Sequence, residues 1–316
     1  MKNKYFVTGA TGCIGGWVVK NLIESGKEVS VLSRSGGLDK LRLIMAEDDL
    51  AKVSVLKADL LDFEAIRKWI DSQGVAKIIH LAAMQLPFCK ADPRLGARVN
   101  VEGTVNIFEA AKAGGITSLV YSSSTAVYGK SEEYSESVLM HDTELIPHSH
   151  YGVYKVANEW SAKVYYESDG ISSVGIRPYV VYGPLRDQGM TSTPTTAMKA
   201  VLKGEKYHIS YGGRFDFQYV DDTAKAFIRA ADAAFEGAET YNLGGGSVTM
   251  DEVISAIDKA SPGASDLLTS TDSQLPFPPA ADNAPLEELI GPICATDLET
   301  GVRKSMEIFK TAVEVA

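Results

Sequence analysis

Short apolar runs alternate with amphipathic segments through the first half of the chain. The apolar runs, rich in Val and Ile, predict strands at 4–9, 28–33, 52–60, 77–83, 118–124 and 172–178. The segments between several of them have helical spacing and predict helices at 14–25, 63–71, 93–113 and 151–168. Apolar strands separated by helices are typical of βαβ units around a buried parallel sheet. The pattern therefore predicts a doubly wound α/β fold.

The regular alternation ends at Pro178. Residues 182–196 are rich in Gly, Pro and Thr and predict a loop, and residues 276–285 predict a Pro-rich loop. Further strands are predicted at 215–222 and 239–246, and a last helix at 297–313. We expect a nucleotide-binding domain over 1–178 and a smaller, mainly substrate-binding lobe over 179–316. Some segments of the lobe are expected to return to the first domain.

The net charge limits the classes of partner, and the cysteine spacing indicates the cellular compartment. The net charge of −10 argues against nucleic acid or an anionic membrane as the main partner, and leaves a small molecule. Cys13, Cys89 and Cys294 lie far apart, which is typical of a reducing compartment. The sequence shows no stretch apolar enough for a membrane span or a leader, so a cytoplasmic location is expected. The histidines within 141–150 lack a third ligand at helpful spacing, so no metal site is predicted.

Three glycines, Gly9, Gly12 and Gly15, stand between the first strand and the first helix in the segment "VTGATGCIGG". Glycine permits a tight turn and lets a pyrophosphate approach bare backbone at a helix N-terminus. The alternative is a plain strand-to-helix turn. The position at the start of a βαβ series favours a Rossmann-type dinucleotide site, although the spacing is G-x-x-G-x-x-G rather than G-x-G-x-x-G.

The second strand ends in Ser33 and Arg34. An NAD site usually has an acidic residue here that binds the ribose hydroxyls, whereas a guanidinium suits a 2′-phosphate. The sequence therefore favours NADP over NAD. The alternative is that Arg34 is a solvated surface arginine.

The segment "YGVYK" places Tyr151 one helical turn before Lys155, so the two share a face, while Tyr154 points elsewhere. A phenol has a pKa of about 10, and a close ammonium favours the phenolate and lowers that value. Such a phenol is a suitable acid/base group for hydride transfer between a hydroxyl or carbonyl and a nicotinamide. The serine cluster 122–124, at the end of the preceding strand, can hydrogen-bond the same substrate oxygen.

This constellation resembles the extended short-chain dehydrogenase/reductases, also called the NAD-dependent epimerase/dehydratase family. The resemblance implies that Ser124, Tyr151 and Lys155 are catalytic. The resemblance also implies a cofactor site, which includes Ser33 and Arg34 at the end of the second strand. The residues of this site are Gly9, Thr11, Gly12, Cys13, Ile14, Gly15, Ser33, Arg34, Asp59, Leu60, Leu81, Ala82, Ala83, Asn100, Ser122, Tyr151, Lys155, Pro178, Tyr179 and Val181. The implied substrate contacts are Met84, Ser124, Tyr151, Tyr179 and Phe215. Helices 93–113 and 151–168 resemble those that pair in a homodimer.

The sequence departs from the family at two substrate positions. Val180 replaces an asparagine that often contacts the substrate, and Phe215 replaces an arginine that meets a substrate phosphate. These losses favour a sugar-like or other small polyhydroxy substrate, oxidised or reduced with NADP or NAD. The alternatives are an epimerase like UDP-glucose 4-epimerase that holds NAD tightly, and a non-catalytic NAD(P)-sensing protein. Loop 182–196 either lines the substrate pocket or is solvated.

Overall fold

The structure is a computed structural model that describes residues 4–293 and 295–314, so Cys294 lies outside the described residues. The strands are β1 Lys4–Thr8, β2 Glu28–Ser33, β3 Ser54–Lys57, β4 Val75–His80, β5 Leu119–Ser122, β6 Val138–Leu139, β7 Ser173–Pro178, β8 Val180–Tyr182, β9 Tyr207–Ile209, β10 Arg214–Tyr219, β11 Ala238–Leu243, β12 Ser247–Thr249, β13 Leu268–Ser270 and β14 Ala280–Ala281. The α-helices are α1 Cys13–Glu24, α2 Glu47–Leu50, α3 Phe63–Gln73, α4 Leu86–Ala91, α5 Pro93–Ala97, α6 Gly103–Ala113, α7 His150–Asp169, α8 Thr193–Leu202, α9 Val220–Asp232, α10 Met250–Ala260, α11 Ala284–Ile290 and α12 Leu298–Glu314.

Seven parallel strands form the central sheet in the order β11-β7-β5-β4-β1-β2-β3. Helices cover the sheet, with α1 and α9 packed together and α3 against α6. The strands are buried because they lie between these layers, which explains their apolar composition. The strand order reverses between β1 and β4, and ligands of such sheets bind at this switch point, beyond the carboxyl ends of the strands. The predicted Rossmann-type α/β fold is confirmed.

The C-terminal part of the chain builds smaller sheets. One contains β12, β10 and β8, and two pairs join β13 to β9 and β14 to β6. Strand β11 also comes from this part and extends the central sheet beside β7. The division of the chain at residue 178 stays a prediction.

The structure differs from the predicted elements at several places, and the predicted loop 276–285 contains β14 and the start of α11. Helix α8 begins inside the predicted loop 182–196, with Pro194 in its first turn and a buried face that includes Met198. The predicted strand 215–222 ends at Tyr219, where α9 begins. The predicted helix 93–113 is helical throughout, but its centre, Arg98–Glu102, is a π-helical segment. No helix in the described part of the chain is long and apolar enough to span a membrane.

Candidate active site

The glycine-rich turn lies at the switch point between β1 and β4. Gly9 has a φ of +71°, and a Cβ there would lie 2.7 Å from the backbone nitrogen of Ala82. A Cβ on Gly15 would overlap the carbonyl oxygen of Gly9, so this glycine permits the close approach of α1 to the turn. Gly12 is exposed and is the N-cap of α1, with no side chain capping the helix. The first N–H groups of α1 therefore have no side-chain cap, and this cradle fits a pyrophosphate.

The carboxyl end of β2 carries Ser33 and the exposed Arg34. The Ser33 hydroxyl donates to the carbonyl of Gly37 at 3.1 Å. Ser33 pairs in register with Lys57 of β3, whose side-chain carbons pass within 3.0 Å of the place a Cβ on Gly36 would take. The cationic side chains of Arg34 and Lys57 thus lie at the carboxyl ends of β2 and β3. Asp59, the next predicted cofactor residue, is exposed and accepts the N–H of Leu61 at 2.9 Å.

Backbone hydrogen bonds shape the floor of the cleft beyond β4. The N–H groups of Leu81 and Ala82 donate to the carbonyl and the hydroxyl of Thr8, each at 3.2 Å. The amide of Asn100 is buried and forms two hydrogen bonds with the backbone of Met84. It accepts the N–H at 2.6 Å and donates to the carbonyl at 2.9 Å. Asn100 therefore positions the loop after β4.

A buried histidine supports this floor. His80 lies between the hydroxyls of Thr8, at 2.6 Å from Nδ1, and Thr104, at 3.0 Å from Nε2. Burial, with a smaller effect of the Lys155 charge, lowers the pKa of His80 to about 3. The ring is therefore neutral at physiological pH. The sequence does not predict this role of His80, because a single histidine in an apolar strand carries no signal of its partners.

The tyrosine–lysine pair faces the end of β5. Lys155 is buried, and its Nζ donates to the carbonyl of Ser122 at 2.6 Å and lies 5.6 Å from the centroid of the Tyr151 ring. The half-buried Tyr151 interacts with the Ser124 side chain, which lowers the pKa of the phenol. The Tyr154 hydroxyl donates to the carbonyl of Pro93 at 2.8 Å, away from the serines. The structure thus brings together the three predicted catalytic side chains and directs Tyr154 elsewhere.

The electrostatics differ from the expectation of a lowered phenol pKa. Burial raises the pKa of Tyr151, and the effect of the Ser124 hydroxyl offsets this only in part. Burial also lowers the pKa of Lys155 to about 8. With the protein groups alone, desolvation therefore outweighs the effect of a nearby ammonium on the phenol.

Other predicted contacts are less accessible. Tyr179 is buried, and its hydroxyl donates to the carbonyl of Pro278 at 2.8 Å. Phe215 is fully buried and packs edge to face on Tyr211 and Phe217, so the structure does not place it at the cleft surface. The remaining predicted residues fall into two groups by burial. Thr11, Cys13, Ile14, Ala83 and Ser122 are half-buried, and Leu60, Pro178 and Val181 are buried.

Two groups of polar residues were missed by sequence reasoning. A buried ion pair joins Glu159 to Arg177 behind the lysine, and Arg186 lies in the turn after β8. Charged residues in a helix, a strand or a loop are usually exposed, so the sequence gives no sign that the side chains of Glu159, Arg177 and Arg186 are buried or half-buried. Among the described residues, no three His, Cys, Asp or Glu side chains are grouped as a metal site requires.

The fold and the site together define a dinucleotide-binding α/β enzyme in which Tyr151 and Lys155 lie side by side at the end of β5. The sequence profile described as "NAD dependent epimerase/dehydratase family" matches residues 5–244. The chain belongs to this family, which confirms the resemblance, and it is a nicotinamide-dependent enzyme.

Relatives and solved structures align over nearly the whole chain. UDP-glucose 4-epimerase of Mycolicibacterium smegmatis is 31% identical over 96% of this chain and 97% of its own. UDP-N-acetylglucosamine 4-epimerase of Methanobrevibacter ruminantium, solved with UDP-N-acetylmuramic acid, has a TM-score of 0.85 at 26% identity, covering 99% of this chain and 100% of its own. UDP-glucose 4-epimerase of Thermus thermophilus, solved with NAD, has a TM-score of 0.81 at 26% identity, covering 98% and 99%.

Proposed function

We propose that this enzyme transfers hydride between a nicotinamide cofactor and a hydroxyl-bearing carbon of a sugar-like substrate. The observation that carries the proposal is the grouping of Tyr151, Ser124 and Lys155 at the carboxyl end of β5, the same edge of the parallel sheet at which the glycine-rich turn follows β1. This grouping offers one phenolic proton and one hydroxyl to a substrate oxygen. The ammonium of Lys155 lies next to the phenol ring of Tyr151.

Each side chain has a distinct task in this proposal. Tyr151 exchanges a proton with the substrate oxygen, and Ser124 hydrogen-bonds that oxygen or the phenol. Lys155, held by the Ser122 carbonyl, favours the phenolate through its charge. The cradle of α1 holds the pyrophosphate, and the bound cofactor supplies the hydride acceptor or donor, with a further positive charge when it is oxidised.

A panel of sugars, polyols, sugar acids and nucleotide sugars tests this proposal through the absorbance of the reduced nicotinamide. We expect net reduction or oxidation of the cofactor with at least one sugar-like compound. Cofactor binding with no turnover across the panel, and no epimerised product, would instead indicate a non-catalytic NAD(P)-sensing protein.

An epimerase is the second candidate, favoured by the relatives that align over the whole chain as UDP-sugar 4-epimerases. The same groups would then oxidise and re-reduce one carbon, with the cofactor retained. The two candidates are separated by the nicotinamide content of the purified protein and by the products. A retained cofactor and an epimerised nucleotide sugar without net redox change would establish the epimerase.

We further propose that NADP is preferred over NAD. Arg34 and Lys57 give the end of β2 a positive character, while the residues there, Ser33 to Ser35, include no carboxylate for the ribose hydroxyls. We expect NADPH to bind more tightly than NADH, and Arg34→Ala to remove about 1.5–3 kcal/mol of that preference, as for a charge-assisted hydrogen bond. Isothermal titration with both cofactors measures this difference. Equal affinities in the unaltered protein would contradict the proposal, in which case the site resembles that of the NAD-bound Thermus enzyme.

We also propose a homodimer through the outer face of α7. Val153, Trp160 and Val164 are 48%, 60% and 57% exposed and lie along one side of this helix, and Leu95 of the adjacent α5 is 42% exposed. Exposed apolar stripes of this kind mark protein interfaces. A second copy, packing the same helices against these, would bury the stripe symmetrically.

A further inference from the structure

A buried carboxylate continues the side of α7 that carries the tyrosine and the lysine. Tyr151, Lys155 and Glu159 follow one another at four-residue intervals, so the three side chains lie on one side of the helix. Lys155 and Glu159 are only 3% and 4% exposed. Carboxylates are almost never buried to this extent without partners. The proposed function gives tasks to the first two residues and none to Glu159.

One peptide group connects the lysine to this carboxylate. The carbonyl of Ser122 accepts a hydrogen bond from Nζ of Lys155 at 2.6 Å. The N–H of the same peptide, which belongs to Ser123, donates to the carbonyl of Ile176 in β7 at 2.7 Å. The buried hydroxyl of Ser123 donates to Oε1 of Glu159. Because Glu159 and β7 fix the peptide that holds Lys155, they also fix the direction of the lysine side chain.

Arg177 keeps the Glu159 carboxylate in place and charged. Its Nε and Nη2 donate to the two carboxylate oxygens at 2.9 and 2.7 Å. Its Nη1 donates to the hydroxyl of Tyr128 at 2.6 Å, and that hydroxyl donates to the side-chain oxygen of Asn242, also at 2.6 Å. Charge-assisted hydrogen bonds from a guanidinium favour the ionised form of a carboxylate. Glu159 therefore brings a negative charge to within one helical turn of Lys155.

His80, Tyr151 and Cys89 also face Lys155, and none of them carries a charge at neutral pH. Burial lowers the pKa of His80, in β4, to about 3, and it raises the pKa values of Tyr151 and of the Cys89 thiol in α4. Burial lowers the pKa of Lys155 to about 8, and the negative charges of an ionised Cys89 and of Glu159 oppose this fall. Since the thiol is neutral at pH 7, the carboxylate is the group that favours the ammonium there.

We propose that Glu159 is a positioning residue, which keeps the Lys155 ammonium charged and beside the Tyr151 ring, both through its own charge and through Ser123. This proposal rests on the proposed function for the task of Lys155. The effect of Glu159 on the lysine is a property of the protein alone, so it is measured without substrate. A carboxylate that only packed α7 against the sheet would shield Lys155 from water and would have no effect through its charge.

The test is the pH titration of Lys155 in the full chain, followed by NMR on protein labelled with ¹³C at the lysine Cε. The resonance that disappears in Lys155→Met identifies the residue. We expect a midpoint of about 8 in the unaltered protein. Glu159→Gln removes the carboxylate charge and should lower the midpoint by about one pH unit, which is about a tenfold change in proton affinity. Glu159→Asp keeps the charge and should recover part of the loss.

A double variant covers the case in which Glu159→Gln does not fold. Glu159→Gln with Arg177→Met leaves no guanidinium buried without its counter-charge. Its midpoint should also fall, by less than in the single variant, because the positive charge of Arg177 is removed as well. The matched control is Glu109→Gln, which removes the acceptor of the Tyr165 hydroxyl, at 2.7 Å, about three turns further along α7. This change should leave the midpoint of Lys155 where it is.

The direction of the change separates an effect of charge from an effect of packing. If Glu159 only packs α7, its loss admits water to Lys155, and the midpoint rises from about 8 toward the ordinary value of 10.5. A rise or no change in Glu159→Gln, or in the double variant where the single one does not fold, would overturn the proposal. A fall in a protein that turns over no compound of the panel would support the role of Glu159 and overturn the proposed function instead. Turnover with an unmoved midpoint would overturn the role of Glu159 and leave the proposed function standing.

Discussion

At the scale of single residues, burial determines how readily Tyr151 and Lys155 gain or lose a proton. One helical turn separates Tyr151 from Lys155, and the structure places both at the end of β5, while Tyr154 bonds to Pro93. The pKa values depend on burial, which spacing does not report. Desolvation raises the pKa of Tyr151 and lowers that of Lys155.

The depressed pKa of Lys155 predicts how stability changes with pH. The native pKa is about 8 against an ordinary value of 10.5, so between these values the unfolded chain binds more protons than the native protein. The free energy of unfolding therefore rises with pH across that window, by about 2 kcal/mol between pH 8 and pH 10.

Lys155→Met lacks this contribution and serves as the reference. Urea unfolding of both proteins at several pH values should show that the free energy of unfolding of the unaltered protein rises relative to that of the variant as the pH rises. A constant difference between the two would mean that the lysine keeps its ordinary pKa.

At the scale of elements, a buried ion pair fixes α7 against the central sheet. Arg177 of β7 binds Glu159 of α7 through two hydrogen bonds, at 2.7 and 2.9 Å. Glu159 also accepts the hydroxyl of Ser123, and lies one turn beyond Lys155. The pair therefore sets the position of α7 relative to the end of β5. Sequence alone does not predict it, because charged residues in a helix and a strand are usually exposed.

Removing one partner of this pair should be costly. Glu159→Gln leaves a guanidinium buried without its counter-charge and should destabilise the protein by about 3–5 kcal/mol in urea unfolding. The double variant with Arg177→Met should lose less than the sum of the two single variants.

The exposed pair of Arg303 and Glu307, at 3.0 Å on α12, gives the control. Glu307→Gln should cost less than about 1 kcal/mol. A similarly small cost for Glu159→Gln would show that the buried pair does not hold α7.

At the scale of the whole molecule, the parallel sheet was predictable and the C-terminal part largely was not. Apart from the edge strand β3, the strands of the first half are mostly buried, so their apolar composition indicates their position in the sheet directly. Helix α8 was predicted as a loop because Gly, Pro and Thr precede it and occupy its first turn, and its apolar face is evident only from its contacts. The turn at Arg186 was similarly hidden, since the packing of Leu185 on α1 joins residues far apart in sequence.

The proposed dimer is a prediction at this scale. Trp160→Glu places a charge in the middle of the exposed stripe on α7 and should convert a dimer into a monomer, as measured by sedimentation velocity. Val138→Glu, which changes an exposed apolar residue of β6, is the control and should leave the dimer intact. A protein that is monomeric without any substitution would contradict the interface.

We predict that Tyr151, and not its neighbour Tyr154, exchanges the substrate proton. The most direct measurement is the rate of hydride transfer, at saturating cofactor and substrate, for Tyr151→Phe and Tyr154→Phe, with cofactor affinity measured for both. Loss of the acid/base group should reduce the rate of Tyr151→Phe by about 10²–10⁴-fold with cofactor binding retained, while Tyr154→Phe keeps most of its activity. Retained activity in Tyr151→Phe, or a loss confined to Tyr154→Phe, would contradict the account.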